Sequence, residues 1–150
     1  MPLAPVTSIL AAGFLPMFVK ETSPATTQAS ADAWAKAYVA YVQAGGMPAA
    51  STKQAAFASA LATAFNPLLA GGGPALFLSA MMVFWIGMPV PAQVGAVSLF
   101  VPLSPIVNSP QPPNATPQQQ ANGLAQVIAG LTLGAVKVQP FAPGPPVPLV

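Results

Sequence analysis

Apolar positions recur along this chain at helical rather than strand spacing. Trp34, Tyr38, Tyr41 and Val42 fall at i, i+4, i+7 and i+8, one stripe of a helix with 3.6 residues per turn. Ser23 followed by Pro24 supplies a capping side chain and a first-turn proline, and Gly45-Gly46 supplies a stop. Asp32 and Lys36 stand one turn apart on the surface of the same helix. A second helix is expected after Ser51, where Phe57, Leu61, Phe65 and Leu68 repeat at i, i+4, i+8 and i+11, with Pro67 bending or ending it. A third starts at Pro74, carries Leu78, Met81, Met82 and Trp85 and is closed off by Pro89 and Pro91. A fourth starts with Thr116 as cap and Pro117 in the first turn, runs to about Leu133 and buries Leu124, Val127, Ile128 and Leu131.

Between the third and fourth helices the signals change. Val94, Val97, Leu99 and Val101 are mixed among turn formers, which predicts short extended pieces and no long strand. Residues 136–139 also read as extended. The expected fold is therefore all-α or mainly α: a small bundle of about four helices with extended Pro-rich N- and C-terminal arms. The chain divides into an apolar N-terminal arm (1–22), a helical body (23–136) with a Pro-rich crossing at about 89–116, and an extended C-terminal tail (137–150). With 150 residues, this is one domain's worth of chain.

Composition raises a competing picture. Apolar residues make up 54 % of the chain, the mean hydropathy is +0.64, and residues 54–136 carry no charge. A spanning helix needs roughly 20 mostly apolar residues. The best window, 68–88, is broken by Gly71-Gly72-Gly73 and Pro74, which leaves about fifteen good helical positions, a length that suits a buried helix better than a span. Residues 121–136 include Gly130 and Gly134 at the spacing that lets helices approach closely in a bilayer, but also Asn122, Gln126 and Thr132. No flank carries the Lys/Arg cluster that sets a topology. If lipid were the partner, a lipid-facing belt would lie around 76–86 and 124–136.

Much of the hydropathy comes from alanine, which buries little area per residue. Ten of the 20 prolines gather at 105–117 and 140–148 and favour extended backbone, in opposition to a bilayer interior. The first charge, Lys20, follows the N-terminal apolar stretch, whereas a secretory signal places its positive region first. No cleaved signal is therefore expected.

Chemistry is limited by what the chain lacks. Only Lys20, Glu21, Asp32, Lys36, Lys53 and Lys137 are charged, 4 % of residues, where an ordinary soluble domain has about 25 %. Without cysteine or histidine there is no thiolate nucleophile, disulfide, imidazole base or soft metal ligand. Glu21 and Asp32 are the two acidic side chains; on one helix they would stand roughly 16 Å apart along its axis, too far for carboxylate-pair chemistry. Ser51 reads as a helix cap and Lys53 as a solvated first-turn charge, in preference to a Ser–Lys nucleophile. Gly71-Gly72-Gly73 leads into Pro74-Ala75 and lacks the Lys-Ser/Thr of a phosphate loop.

Four scattered lysines without arginine do not form the footprint of a nucleic-acid binder, in spite of a sequence pI near 9.3. Asn114-Ala115-Thr116 matches the glycosylation sequon and residues 143–146 the PxxP form, the first without a secretion signal and the second without a flanking arginine. The expected site residues are therefore none, whether catalytic, cofactor-binding or metal-ligating, with no cofactor, no small-molecule substrate and no nucleic-acid partner. Carboxylates titrate well below neutrality, so no intrinsic charge switch is expected between pH 5 and 8.

In order and composition the chain resembles small Ala/Pro-rich virion structural proteins of tailed bacteriophages. The pieces that carry the resemblance are Ala33-Trp34-Ala35-Lys36-Ala37-Tyr38, an Ala-rich helix over 55–65, Phe84-Trp85, Pro110-Gln111-Pro112-Pro113, and a last helix over 118–133 followed by an extended tail. The resemblance implies a non-enzymatic virion component of tail, baseplate, neck or capsid surface. Its partners would be other copies of itself and other virion proteins, held through the apolar arms at 2–19 and 140–150. The alternative is a small membrane-embedded helical protein. This chain departs from the group in being poorer in charge.

Overall fold

The computed structural model describes residues 7–65, 73–85, 96–100, 115–139 and 147–148. The fold is mainly α. Helices α1 (Thr7–Phe18), α2 (Thr27–Ala44), α3 (Gln54–Ala64), α4 (Gly73–Trp85) and α5 (Pro117–Ala135) are joined by a 3-10 helix at Pro48–Lys53 and a small sheet. The sheet has the order β1 (Ala96–Phe100), β2 (Val136–Gln139), β3 (Val147–Pro148), antiparallel throughout, with an irregularity between Val97 and Leu99.

The helices follow one another as spatial neighbours in the order α5, α1, α2, α3, α4. Trp34, Tyr38, Tyr41 and Val42 all point into the core, as their spacing predicts. Phe57 and Leu61 join them from α3, and Phe77, Ala80, Met81, Phe84 and Trp85 from α4. Rings dominate: Trp34 lies 4.9 Å from Phe14 and 5.4 Å from Phe77, and Phe84 lies 4.9 Å from Phe57 and 5.1 Å from Tyr38, centroid to centroid. Such tilted and edge-to-face pairs contribute about 0.5–1.5 kcal/mol each beyond the area they bury.

Helix ends follow local chemistry. Thr26, extended at φ −129° and ψ 159°, accepts the Ala29 N–H at 3.1 Å and caps α2. The expected start at Ser23-Pro24 is thus corrected by three residues: Ser23 donates to the Lys20 carbonyl in the preceding turn. At the other end Gly46 has φ 103° and donates to the Gln43 carbonyl at 3.0 Å, the left-handed residue that closes many helices. Ser51 is not a cap; it lies within the 3-10 helix and donates to the Pro48 carbonyl. Helix α3 ends at Ala64, before Pro67. Thr116 and Gln119 cap α5 reciprocally: the Thr116 hydroxyl accepts the Gln119 N–H at 3.2 Å, and the Gln119 side chain accepts the Thr116 N–H at 2.9 Å.

Two expectations about the arms are corrected. Residues 7–18, expected as part of an extended arm, form α1, which inserts Leu10, Ala11 and Phe14 between α2 and α5. Its Pro16 stands in the last turn and forfeits a single backbone donor. Among the described residues the bundle has five α-helices where about four were expected, α1 being the addition. The C-terminal tail is extended at 136–139, but Val147 and Pro148 pair back onto Val138 and Lys137 instead of leaving the domain. The residues of the Pro-rich crossing other than β1 and 115–116, and residues 140–146 of the tail, lie outside the described residues.

Candidate functional site

The polar residues singled out in the sequence do not converge. Lys20, Glu21, Asp32 and Lys36 are exposed. Asp32 accepts a hydrogen bond from the Gln28 side chain at 2.9 Å, and it shares none with Glu21 among the described residues. Among those residues no three His, Cys, Asp or Glu side chains are grouped so as to hold a metal ion. Gly71, Gly72, Asn114 and the PxxP segment lie outside the described residues, and Thr116 of the sequon is engaged as the α5 cap.

The distinctive chemistry is internal. Trp85 Nε1 donates to the Tyr38 hydroxyl at 3.0 Å. The Tyr38 and Thr132 hydroxyls are 2.5 Å apart, and Thr132 donates onward to the Ile128 carbonyl at 2.9 Å. Since the Thr132 proton is committed to that carbonyl, Tyr38 is the donor to Thr132. One directed chain therefore runs Trp85, Tyr38, Thr132, Ile128 and joins α4, α2 and α5 through fully buried side chains. Burial raises the Tyr38 pKa far above its ordinary value; the bonds with Thr132 and Trp85 oppose that shift without cancelling it. Tyr38 is thus a neutral donor–acceptor.

Tyr41, one turn along α2, differs. Its hydroxyl is buried with no hydrogen-bond partner among the described residues, and burial pushes its pKa up to about 12. An unsatisfied buried hydroxyl costs about 1–3 kcal/mol.

Two surface depressions accompany this core. A groove of about 350 Å³ between α1 and α2 is floored by small residues, including Gly13, Ala33 and Ala37, with Lys36 also lining it. A cβ-sized addition at Gly13 would sit 2.6 Å from the Ala37 Cβ, so the two helices touch backbone to methyl there. A second notch, about 210 Å³, lies between α1 and α5 and is lined by Thr7, Ser8, Asn122 and Gln126.

The buried chain was not predicted. Thr132 figured in the sequence only as a polar interruption of an apolar run. Its isolation among Ile128, Leu131 and Leu133, together with a tyrosine and a tryptophan on other helices, is the signal available. Comparison with family models, with curated proteins and with solved structures finds no match to this chain.

Proposed function

We propose that the chain is a non-enzymatic structural component of a large assembly, a phage virion protein of tail, baseplate, neck or capsid surface, acting through subunit packing. The observation that carries this reading is how the side-chain inventory is used. The buried hydrogen-bonding chain is spent on tying three helices together, and Lys20, Glu21, Asp32 and Lys36 are exposed. Ile9, Met82 and Val83 are large apolar side chains left exposed at 38 %, 39 % and 45 %, which suits contact with neighbouring subunits. Because α1 is consumed inside the fold, partner contacts at the N-terminal side fall to helix faces instead of a free arm.

Among the described residues no helix is long and apolar enough to cross a membrane. Within the belt suggested for lipid contact, Phe77, Met81, Phe84 and Trp85 face the core, while Met82 and Val83 are exposed. The membrane-embedded alternative is therefore the second outcome of the test, not a parallel proposal. Quantitative mass spectrometry across density-gradient fractions of virions decides it. The proposal expects this chain at a fixed copy number relative to the major capsid protein in every particle fraction. Complete particles lacking the chain, or its recovery in the membrane pellet alone, would overturn the proposal.

A further inference from the structure

The groove between α1 and α2 stands open because of what lines it. Its floor is Gly13 from α1 and Ala33, Ala37 and Ala40 from α2. The helices already touch there, since a methyl added at Gly13 would lie 2.6 Å from the Ala37 Cβ, so no closer approach can collapse the space. A floor of methyl groups and a glycine also has no side-chain torsion by which it could swing in and fill the groove. Pro16, Met17 and Pro24 form the walls, two rigid rings and one flexible, polarisable thioether that adapts to what it meets. An apolar cavity of about 150 Å³ takes up a benzene molecule. The groove's volume of about 350 Å³ therefore has room for an aliphatic chain of on the order of ten carbons.

Two polar side chains reach this groove, Thr22 and Lys36. Thr22 is already used, its hydroxyl donating to the Pro16 carbonyl at 2.7 Å. Lys36 is the one charged side chain in the lining, and neither Glu21 nor Asp32 joins it there. Asp32, one turn before Lys36 on α2, accepts from the Gln28 amide at 2.9 Å instead. An apolar trough with a single cation beside it is complementary to an apolar tail with a single anionic head, the few polar groups of such sites fixing orientation. We propose that the groove binds one free aliphatic carboxylate of about ten carbons, its hydrocarbon lying on the Gly13–Ala37 floor and its carboxylate paired with the Lys36 ammonium. A helix from another protein, about 10–12 Å across, is too wide for this space. The inference does not rest on the assembly reading and holds or fails by itself.

The test is a titration of the full chain, carrying 13C in its alanine methyl groups, with sodium decanoate at pH 7 below its micelle-forming concentration. Saturable shifts are expected at the methyls of Ala12, Ala33, Ala37 and Ala40, which line the groove, and none at Ala58 and Ala64 of α3. Lys36→Gln should weaken decanoate by about two- to fivefold, as loss of an exposed ion pair dictates, and leave the binding of decanol unchanged. Ala40→Leu, at an exposed lining position, should weaken both by about tenfold or more, because the leucine takes over apolar contact of its own size. Absence of saturable shifts at the four methyls would overturn the proposal, as would equal losses of decanoate and decanol in Lys36→Gln or undiminished binding in Ala40→Leu. A response to phosphatidylglycerol vesicles without one to free decanoate would overturn it as well, in favour of a membrane surface.

Discussion

Tyr38 is approached from two sides by two kinds of surface. From α3 and α4 come rings: Phe57 at 5.4 Å, Phe84 at 5.1 Å and Trp85 at 6.4 Å between centroids. From α5 comes one hydroxyl, Thr132, on a helix whose described core-facing side chains also include Leu124, Ile128 and three alanines. Aromatic side chains bury about 150–250 Å² each, so adhesion on the first side is spread over many atoms. On the second side a directional bond accompanies the apolar packing. Loss of any one ring contact leaves the ring sector with several others, whereas Tyr38 and Thr132 share a single hydrogen bond.

The largest expected effect lies in the ring sector. Trp34 contacts Phe14, Tyr38, Phe57, Phe65 and Phe77, and Trp34→Ala should destabilise the chain by about 3–5 kcal/mol in urea denaturation. Phe57→Ala belongs in the same range. A loss below about 1 kcal/mol at either position would remove that residue from the core described above.

Next comes the seam between α1 and α2. Gly13→Ala drives a methyl against the Ala37 Cβ and Cα, 2.6 and 3.1 Å away, and should cost about 1–3 kcal/mol. Adding Ala37→Gly should recover part of that cost, read as non-additivity in a double-mutant cycle. Strictly additive losses would show that the two helices do not meet there.

Smaller effects separate true caps from apparent ones. Thr26→Ala and Thr116→Ala should each cost about 1 kcal/mol. Ser51→Ala should fall within about 0.5 kcal/mol of the parent in the same thermal melts, because Ser51 caps nothing.

The smallest change is expected at Tyr41. Tyr41→Phe removes a buried hydroxyl that has no partner among the described residues and should leave stability unchanged or raise it by up to about 1 kcal/mol. Beside the more strongly shifted Tyr38, the same group contributes to alkaline behaviour. Its folded pKa of about 12 lies above the ordinary value of 10.0, so burial favours the neutral phenol. The associated stability is intact below pH 10, declines as pH rises from 10 toward 12 and levels off above that. Denaturation midpoints measured across this window should fall for the parent and fall less for Tyr41→Phe.

Much of the helical body was legible because its signals are local. The Trp34, Tyr38, Tyr41, Val42 stripe, the Gly45-Gly46 stop and the Thr116-Pro117 start each lie within a few residues, and the structure uses all of them as read. The short strand at Ala96–Phe100 also matches the expected brief extended piece. Helix α1 was missed for a physical reason. Thr7–Phe18 is apolar around most of its circumference and contains Pro16, so it offers no stripe to read and includes a residue that argues for extended backbone. Ser23-Pro24 and Thr26 were competing caps three residues apart, and backbone conformation decided between them. The Tyr38–Thr132 pair joins residues 94 positions apart, a separation at which no spacing rule operates. What was legible about a site was the scarcity of reactive groups, and the buried hydrogen-bonding chain had to be seen in three dimensions.

The proposal that this chain works by packing against neighbouring subunits is open to light scattering of the full chain in detergent-free buffer over a hundredfold concentration range. The claim predicts a species heavier than the 15.1 kDa monomer, with a molar mass that rises with concentration. A constant 15.1 kDa at every concentration, or a chain that enters solution only with detergent, would contradict it.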